Sequence, residues 1–124
     1  MNLIRTHKEL EVYKLAFGAA LEIYRISKSF PVEEKYSLTD QVRRSSRSVC
    51  ANIAEAFRKR RYPKSFVSKL SDAEGEAAET QVWLDFAAEF EYMDIKVCNL
   101  LYDKYDHILS QFIIMINSPD KWCR

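Results

Sequence analysis

At 124 residues, with 48% apolar and 30% charged side chains, the chain is sized for one globular domain with one modest core. Two glycines and three prolines leave little turn material, which excludes a sheet of many hairpins and favours a few long helices on short connections. The net charge of +1 hides a segregation: residues 36–69 carry nine cations against two acids, and residues 72–103 carry nine acids against Lys96 alone.

The first helix is expected over residues 7–29. Leu10, Tyr13, Phe17, Ala20 and Tyr24 recur at helical steps on one face, Ile26 and Phe30 close it, and Pro31 stops it. Residues 32–36 form a connection of ordinary length. The second helix begins at Ser37, expected to cap it, with Asp40 completing an acidic capping box. Its apolar period is Leu38, Val42, Val49, Ile53 and Phe57, and Ser45, Ser46, Ser48, Cys50, Ala51, Ala54 and Ala56 permit close approach. This is the expected central helix, its serines packing rather than acting as nucleophiles.

The third helix starts at Pro63, where a missing amide costs nothing. Phe66, Leu70, Ala73, Ala77, Leu84 and Ala88 give its face, broadened by Val67, Val82, Trp83 and Phe86. Gly75 reads as a close helix crossing or as a tolerated defect. The fourth helix runs from an Asp94 cap to about Asn117 on a stripe of Leu101, Tyr105, Ile108, Phe112 and Met115/Ile116. Leu100, Leu109, Ile113 and Ile114 widen that stripe beyond one core, a sign of oligomerisation. Ser118-Pro119 ends the helix, and the tail through Trp122 to Arg124 is expected to be loose. The fold class is all-α: an antiparallel up-down-up-down four-helix bundle in one domain, its core at about residues 8–117.

The N-terminus lacks the apolar core of a signal peptide, and the longest apolar run, residues 112–116, falls far short of the roughly 20 residues of a membrane span. Cys50, Cys98 and Cys123 are odd in number and scattered. They read as free thiols in a reducing compartment, the cytoplasm, with Cys50 and Cys98 buried as small hydrophobes.

No catalytic constellation is present. A di-iron bundle needs two Glu-x-x-His pairs, but the histidines are His7 and His107 and position 104 is a lysine. The cysteines lack zinc-site spacing, and Gly18 and Gly75 stand alone, so no phosphate loop is read. A helical ribonuclease would set an arginine shortly before its histidine, and none precedes His107, which pairs more simply with Asp103. No enzyme, metal or cofactor is expected.

The functional signal is basic. Arg58, Lys59, Arg60, Arg61 and Lys64 surround the turn between the second and third helices. They suit a helix C-cap, nucleic-acid backbone binding, or pairing with an acidic helix of a neighbour. Tyr62 and Phe66 are candidates to stack on bases. Arg43, Arg44 and Arg47 can add to this surface, with Arg44, Arg47 and Glu55 near one face. With Gln41 and Asn52 they also suit a polar network between helices or protomers.

Residues 41–49, QVRRSSRSV, followed by Asn52-Ile53-Ala54-Glu55, resemble the signature of the small bacterial four helix bundle protein family. That family includes the proteins of 23S rRNA intervening sequences, also labelled S23 ribosomal proteins, and the accessory variability determinant of diversity-generating retroelements. Residues 10–16, Phe30-Pro31 with Glu34, and Ala73-Glu74-Gly75 with Glu79 and Gln81 support the match, which covers about residues 9–116. Ala56 and Gly75-Glu76 depart from the family's usual glycine after Asn-Ile-Ala-Glu and from its Gly-Ser. The resemblance implies an up-down bundle assembling as a homopentamer. For the retroelement members it implies a basic surface that binds RNA or DNA and a reverse transcriptase partner. It also implies that Gln41, Arg44, Asn52 and Glu55 lie in the protomer interface or inner packing.

Two functions follow as expectations. One is a non-enzymatic oligomeric adaptor binding nucleic acid through Arg58, Lys59, Arg60, Arg61 and Lys64, with Arg43, Arg44 and Arg47. The other is a scaffold whose basic second helix pairs with the acidic third helix of the next protomer.

Overall fold

A computed structural model describes residues 4–123. Four long helices carry the fold: α1 (Glu11–Ser27), α2 (Leu38–Arg58), α3 (Pro63–Glu89) and α4 (Ile95–Asn117). Short 3-10 turns at His7–Glu9, Val32–Glu34 and Pro119–Lys121 accompany them, and no strand occurs among the described residues. Each helix packs on its sequence neighbour and α1 also packs on α4, so one core is enclosed by all four.

The α2–α3 contact is the most extensive. Val42, Val49, Ile53 and Phe57 of α2 meet Phe66, Leu70, Ala73, Ala77 and Leu84 of α3 in the core, all essentially buried. Small side chains let the two backbones approach, and the buried Ser45 and Thr80 hydroxyls join across the crossing at 2.8 Å. Burying a hydroxyl without a partner costs about 1–3 kcal/mol, so the pairing preserves what the close approach gains. The serines of α2 pack and bond back to the preceding turn, as Ser46 Oγ does to the Arg43 carbonyl.

The core stripe of α4 falls on Leu101, Tyr105, Ile108, Phe112 and Met115, and Asp94 caps the helix by accepting the Lys96 amide at 2.7 Å. Gln81 of α3 fastens α4, donating to the Asp106 carboxylate at 2.8 Å and the Tyr102 carbonyl at 3.2 Å.

Several expectations are corrected. The buried face of α1 is Val12, Ala16, Ala19, Ile23 and Ser27, rotated from the aromatic one; Tyr13 and Ala20 are half-buried, and Phe17 and Tyr24 are exposed. Both sets have helical spacing, and the smaller side chains win because they allow closer helix approach. Ser37 makes no side-chain cap on α2; the Glu34 carboxylate accepts the Leu38 amide at 3.3 Å instead, and also the Tyr92 hydroxyl at 2.9 Å. On α3, Ala87 is buried and Ala88 only partly, while Val82 and Phe86 face outward. Gly75 is exposed, and a Cβ there would meet nothing within 4 Å, so it serves no close crossing within the chain. Cys98 is buried but Cys50 only partly, and Trp122 packs against the core rather than hanging loose. Arg124 lies outside the described residues. His107 faces Gln111, with its Nε2 3.1 Å from the amide nitrogen, rather than Asp103.

Candidate nucleic-acid interface

The two basic segments of α2 fold into different surroundings. At the C-terminal end, the helix stops at Arg58, and the Lys59 amide bonds back to the carbonyls of Glu55 and Ala56. Arg60 turns inward: its Nε donates to the Phe57 carbonyl at 2.9 Å and its guanidinium carbon lies 3.6 Å from the centre of the Phe57 ring. It is therefore a C-capping cation as well as a cation–π partner, stabilising the negative helix end. Arg58, Lys59, Arg61 and Lys64 remain exposed around the turn. Of the two candidate stacking rings, Tyr62 is exposed, while Phe66 is buried in the core and unable to meet a base.

The structure adds residues that sequence reasoning missed. The N-terminal segment crosses the end of α2, so that Arg5 and His7 share a groove of about 450 Å³ with Glu55, Arg58 and Lys59. Some fifty residues separate these partners, and no local pattern signals their meeting. The Glu55 carboxylate in that groove pairs with Lys69 of α3 at 2.8 Å, and holds the Lys69 ammonium above its usual pKa.

The three arginines near the start of α2 part company. Arg44 reaches α3, pairing with Glu76 at 3.2 Å and also with Glu79. Arg43 and Arg47 reach the opposite way, toward α1, with their guanidinium carbons 4.8 and 5.9 Å from the centre of the Tyr24 ring. Arg43 Nε also donates to Ser27 Oγ at 2.7 Å. The expected common face for Arg44, Arg47 and Glu55 is formed only in part: Arg44 and Glu55, eleven residues apart and so nearly in line along the helix, both pair with α3, whereas Arg47 turns toward α1. Arg44 already has two carboxylates, which leaves Arg43 and Arg47 as the cations open to an outside anion.

The polar signature runs within the chain. Gln41 Oε1 lies 3.4 Å from Arg44 Nε. Asn52 Nδ2 donates to the Ser48 carbonyl at 2.9 Å and to its hydroxyl at 3.2 Å. Gly75 stays in the open on α3. Among the described residues no three His, Cys, Asp or Glu side chains come together to hold a metal ion. No helix is long and apolar enough to cross a membrane among them either.

No curated protein matches the chain. Among solved structures, a protein with unknown function from the S23 ribosomal protein family of Bacteroides thetaiotaomicron VPI-5482 superposes with a TM-score of 0.77 at 28% identity, covering 86% of this chain and 95% of that one. The family model for the 23S rRNA-intervening sequence protein matches residues 8–113, nearly the whole helical core. By that match the chain belongs to the 23S rRNA-intervening sequence protein family.

Proposed function

We propose that this protein is a non-enzymatic, cytoplasmic adaptor that assembles with copies of itself and binds the phosphate backbone of RNA or DNA through the end of α2. The observation that carries the reading is the exposed set Arg58, Lys59, Arg61 and Lys64, joined by Arg5 across the groove, all outside the ion pairs made among the described residues. Cations held at one end of a rigid helix pair attract phosphates whatever the base sequence, so binding is sequence-tolerant and falls with salt. Tyr62 adds a sequence-indifferent stacking surface.

Self-assembly is supported by apolar rows that the single chain leaves uncovered: Phe17 and Leu21 on α1, Val82 and Phe86 on α3, Leu100 and Ile114 on α4, with Ile114 63% exposed. The proposed assembly is a homopentamer of antiparallel up-down bundles, as family resemblance implies. Short connections of the chain and the α1–α4 contact suit that topology. A ring would repeat one weak basic patch, raising avidity without new contacts. By the same resemblance, a reverse transcriptase is a candidate protein partner.

The competing scaffold reading needs the basic α2 to pair with the acidic α3 of a neighbour. Arg44 with Glu76 and Glu79 already makes such pairs inside one chain, which leaves fewer charges for that purpose. The test replaces Arg58, Lys59, Arg61 and Lys64 with glutamine and measures anisotropy of a labelled structured RNA beside the mass of the assembly. Weakened binding at unchanged mass supports the adaptor. Unchanged binding removes the site, and dissociation of the wild-type assembly in high salt favours the scaffold.

A further inference from the structure

We propose that the junction of α1 and α2 is a discrete site for a phosphate monoester, built by Lys28, Lys35, Arg43 and Arg47 around Tyr24 and Thr39. Two adjoining grooves meet here, of about 500 and 390 Å³, and share Lys35, Thr39 and Arg43 as their common wall. Lys28 Nζ lies 4.9 Å from the centre of the Tyr24 ring, and the guanidinium carbons of Arg43 and Arg47 lie 4.8 and 5.9 Å from it. Three cations thus lie near one ring, and Lys35, whose Nζ is 5.3 Å from the centre of the Tyr36 ring, lines both grooves.

None of the four belongs to an ion pair among the described residues, where the pairs join Arg44 to Glu76 and Glu79, Lys69 to Glu55 and Asp72, and Lys104 to Glu22. Asp40 is the single carboxylate on the groove wall. Like charges gathered without a counterion repel, and a dianion placed among them removes that repulsion. Arg43 is held by the Ser27 hydroxyl and by Tyr24, so little side-chain freedom is lost when an anion binds.

Thr39 is the independent sign that a ligand belongs here. It occupies the second position of α2, is only 7% exposed, and its hydroxyl oxygen has no hydrogen-bond partner. Buried hydroxyls are nearly always paired, and an unpaired one costs stability unless a ligand completes it. At this end of a 21-residue helix Ser37 supplies no side-chain cap, and the Glu34 carboxylate accepts the Leu38 amide alone. Helix N-termini so placed favour phosphate oxygens. Lys28, Lys35, Arg43 and Arg47, lining the two adjoining grooves, match the near −2 charge of a monoester better than the single charge of a diester. That the monoester is the end of a nucleic-acid strand rests on the proposed function; the phosphate site itself stands without it.

The probe is inorganic phosphate, titrated into the full chain at constant ionic strength, with chloride as the control, and read from the Thr39 and Asp40 amide resonances. The expected result is saturable movement with phosphate alone, with affinity lowered about tenfold or more by Arg43→Gln and to a lesser degree by Thr39→Val. Thr39→Val removes only an unpaired hydroxyl and keeps the fold, which circular dichroism verifies. Movement that is unsaturable, or the same with chloride, overturns the site. A second arm compares 5′-phosphorylated and 5′-hydroxyl RNA of one sequence. Tighter binding of the phosphorylated strand identifies a strand end as the source, and equal binding with intact phosphate saturation assigns the site to free phosphate esters. Loss of RNA binding in the glutamine variant of Arg58, Lys59, Arg61 and Lys64, with phosphate saturation retained, separates this site from the one at the far end of α2.

Discussion

Glu91 is the non-glycine residue with positive φ among the described residues, at 62°. It follows α3, where the Tyr92 amide bonds to the Ala87 carbonyl at 2.8 Å and the Glu91 amide to that of Ala88 at 3.0 Å. This is the paired-bond helix stop usually made by glycine. Glu91→Gly should therefore stabilise the protein by about 1 kcal/mol, since the left-handed conformation no longer carries a Cβ penalty. A thermal melt checks this, and a lower midpoint would mean that the Glu91 side chain contributes more than its backbone costs. Cys50 gives a second residue-scale prediction. Burial pushes its thiol up from 9.0 to about 11. The unfolded chain releases that proton first, so the contribution to stability is complete below about pH 9 and is lost as pH rises toward 11. The buried Tyr105 phenol is also raised and acts in the same direction at higher pH. Cys50→Ala should flatten the pH 9–11 decline in denaturant midpoint, and an unchanged slope would assign the decline elsewhere.

At the scale of elements, α2 was legible because its apolar and small residues are segregated: Val42, Val49, Ile53 and Phe57 admit one buried face. The same holds for the α4 stripe and for the start of α3 at Pro63. The facing of α1 was not legible, because Val12–Ala16–Ala19–Ile23 and Tyr13–Phe17–Ala20–Tyr24 both satisfy helical spacing. Hydrophobicity alone favours the larger set, whereas helix proximity selects the smaller one. Ala16→Leu should then overpack the core and cost about 1–3 kcal/mol. Phe17→Ser, at a side chain 47% exposed, should leave the folding of the single chain within about 0.5 kcal/mol. Urea midpoints of both variants decide the matter, and a reversed order would restore the aromatic face to the core. The split of Arg43, Arg44 and Arg47 was equally hidden, since it depends on acids in α3 and an aromatic ring in α1 rather than on their own sequence neighbours.

For the whole molecule, the charge segregation in the sequence becomes a division of labour. Part of the acidic block on α3 satisfies a cation of its own chain, as Arg44 with Glu76 and Glu79 shows. The remaining cations gather at the two ends of α2, a helix of 21 residues and about 30 Å. The uncovered apolar rows on α1, α3 and α4 point to a chain that completes itself by association. On the proposed function, association and nucleic-acid binding use different surfaces, apolar sides and charged ends, so salt should separate them.

The most direct test of this account is the salt dependence of RNA affinity, measured while assembly mass is monitored. With about five phosphates neutralised at the α2 end, log affinity should fall with log salt with a slope of about −3.5 to −4.5, at constant mass, and less steeply when Arg58, Lys59, Arg61 and Lys64 are glutamine. A flat salt profile, or a fall that tracks dissociation of the assembly, would contradict it.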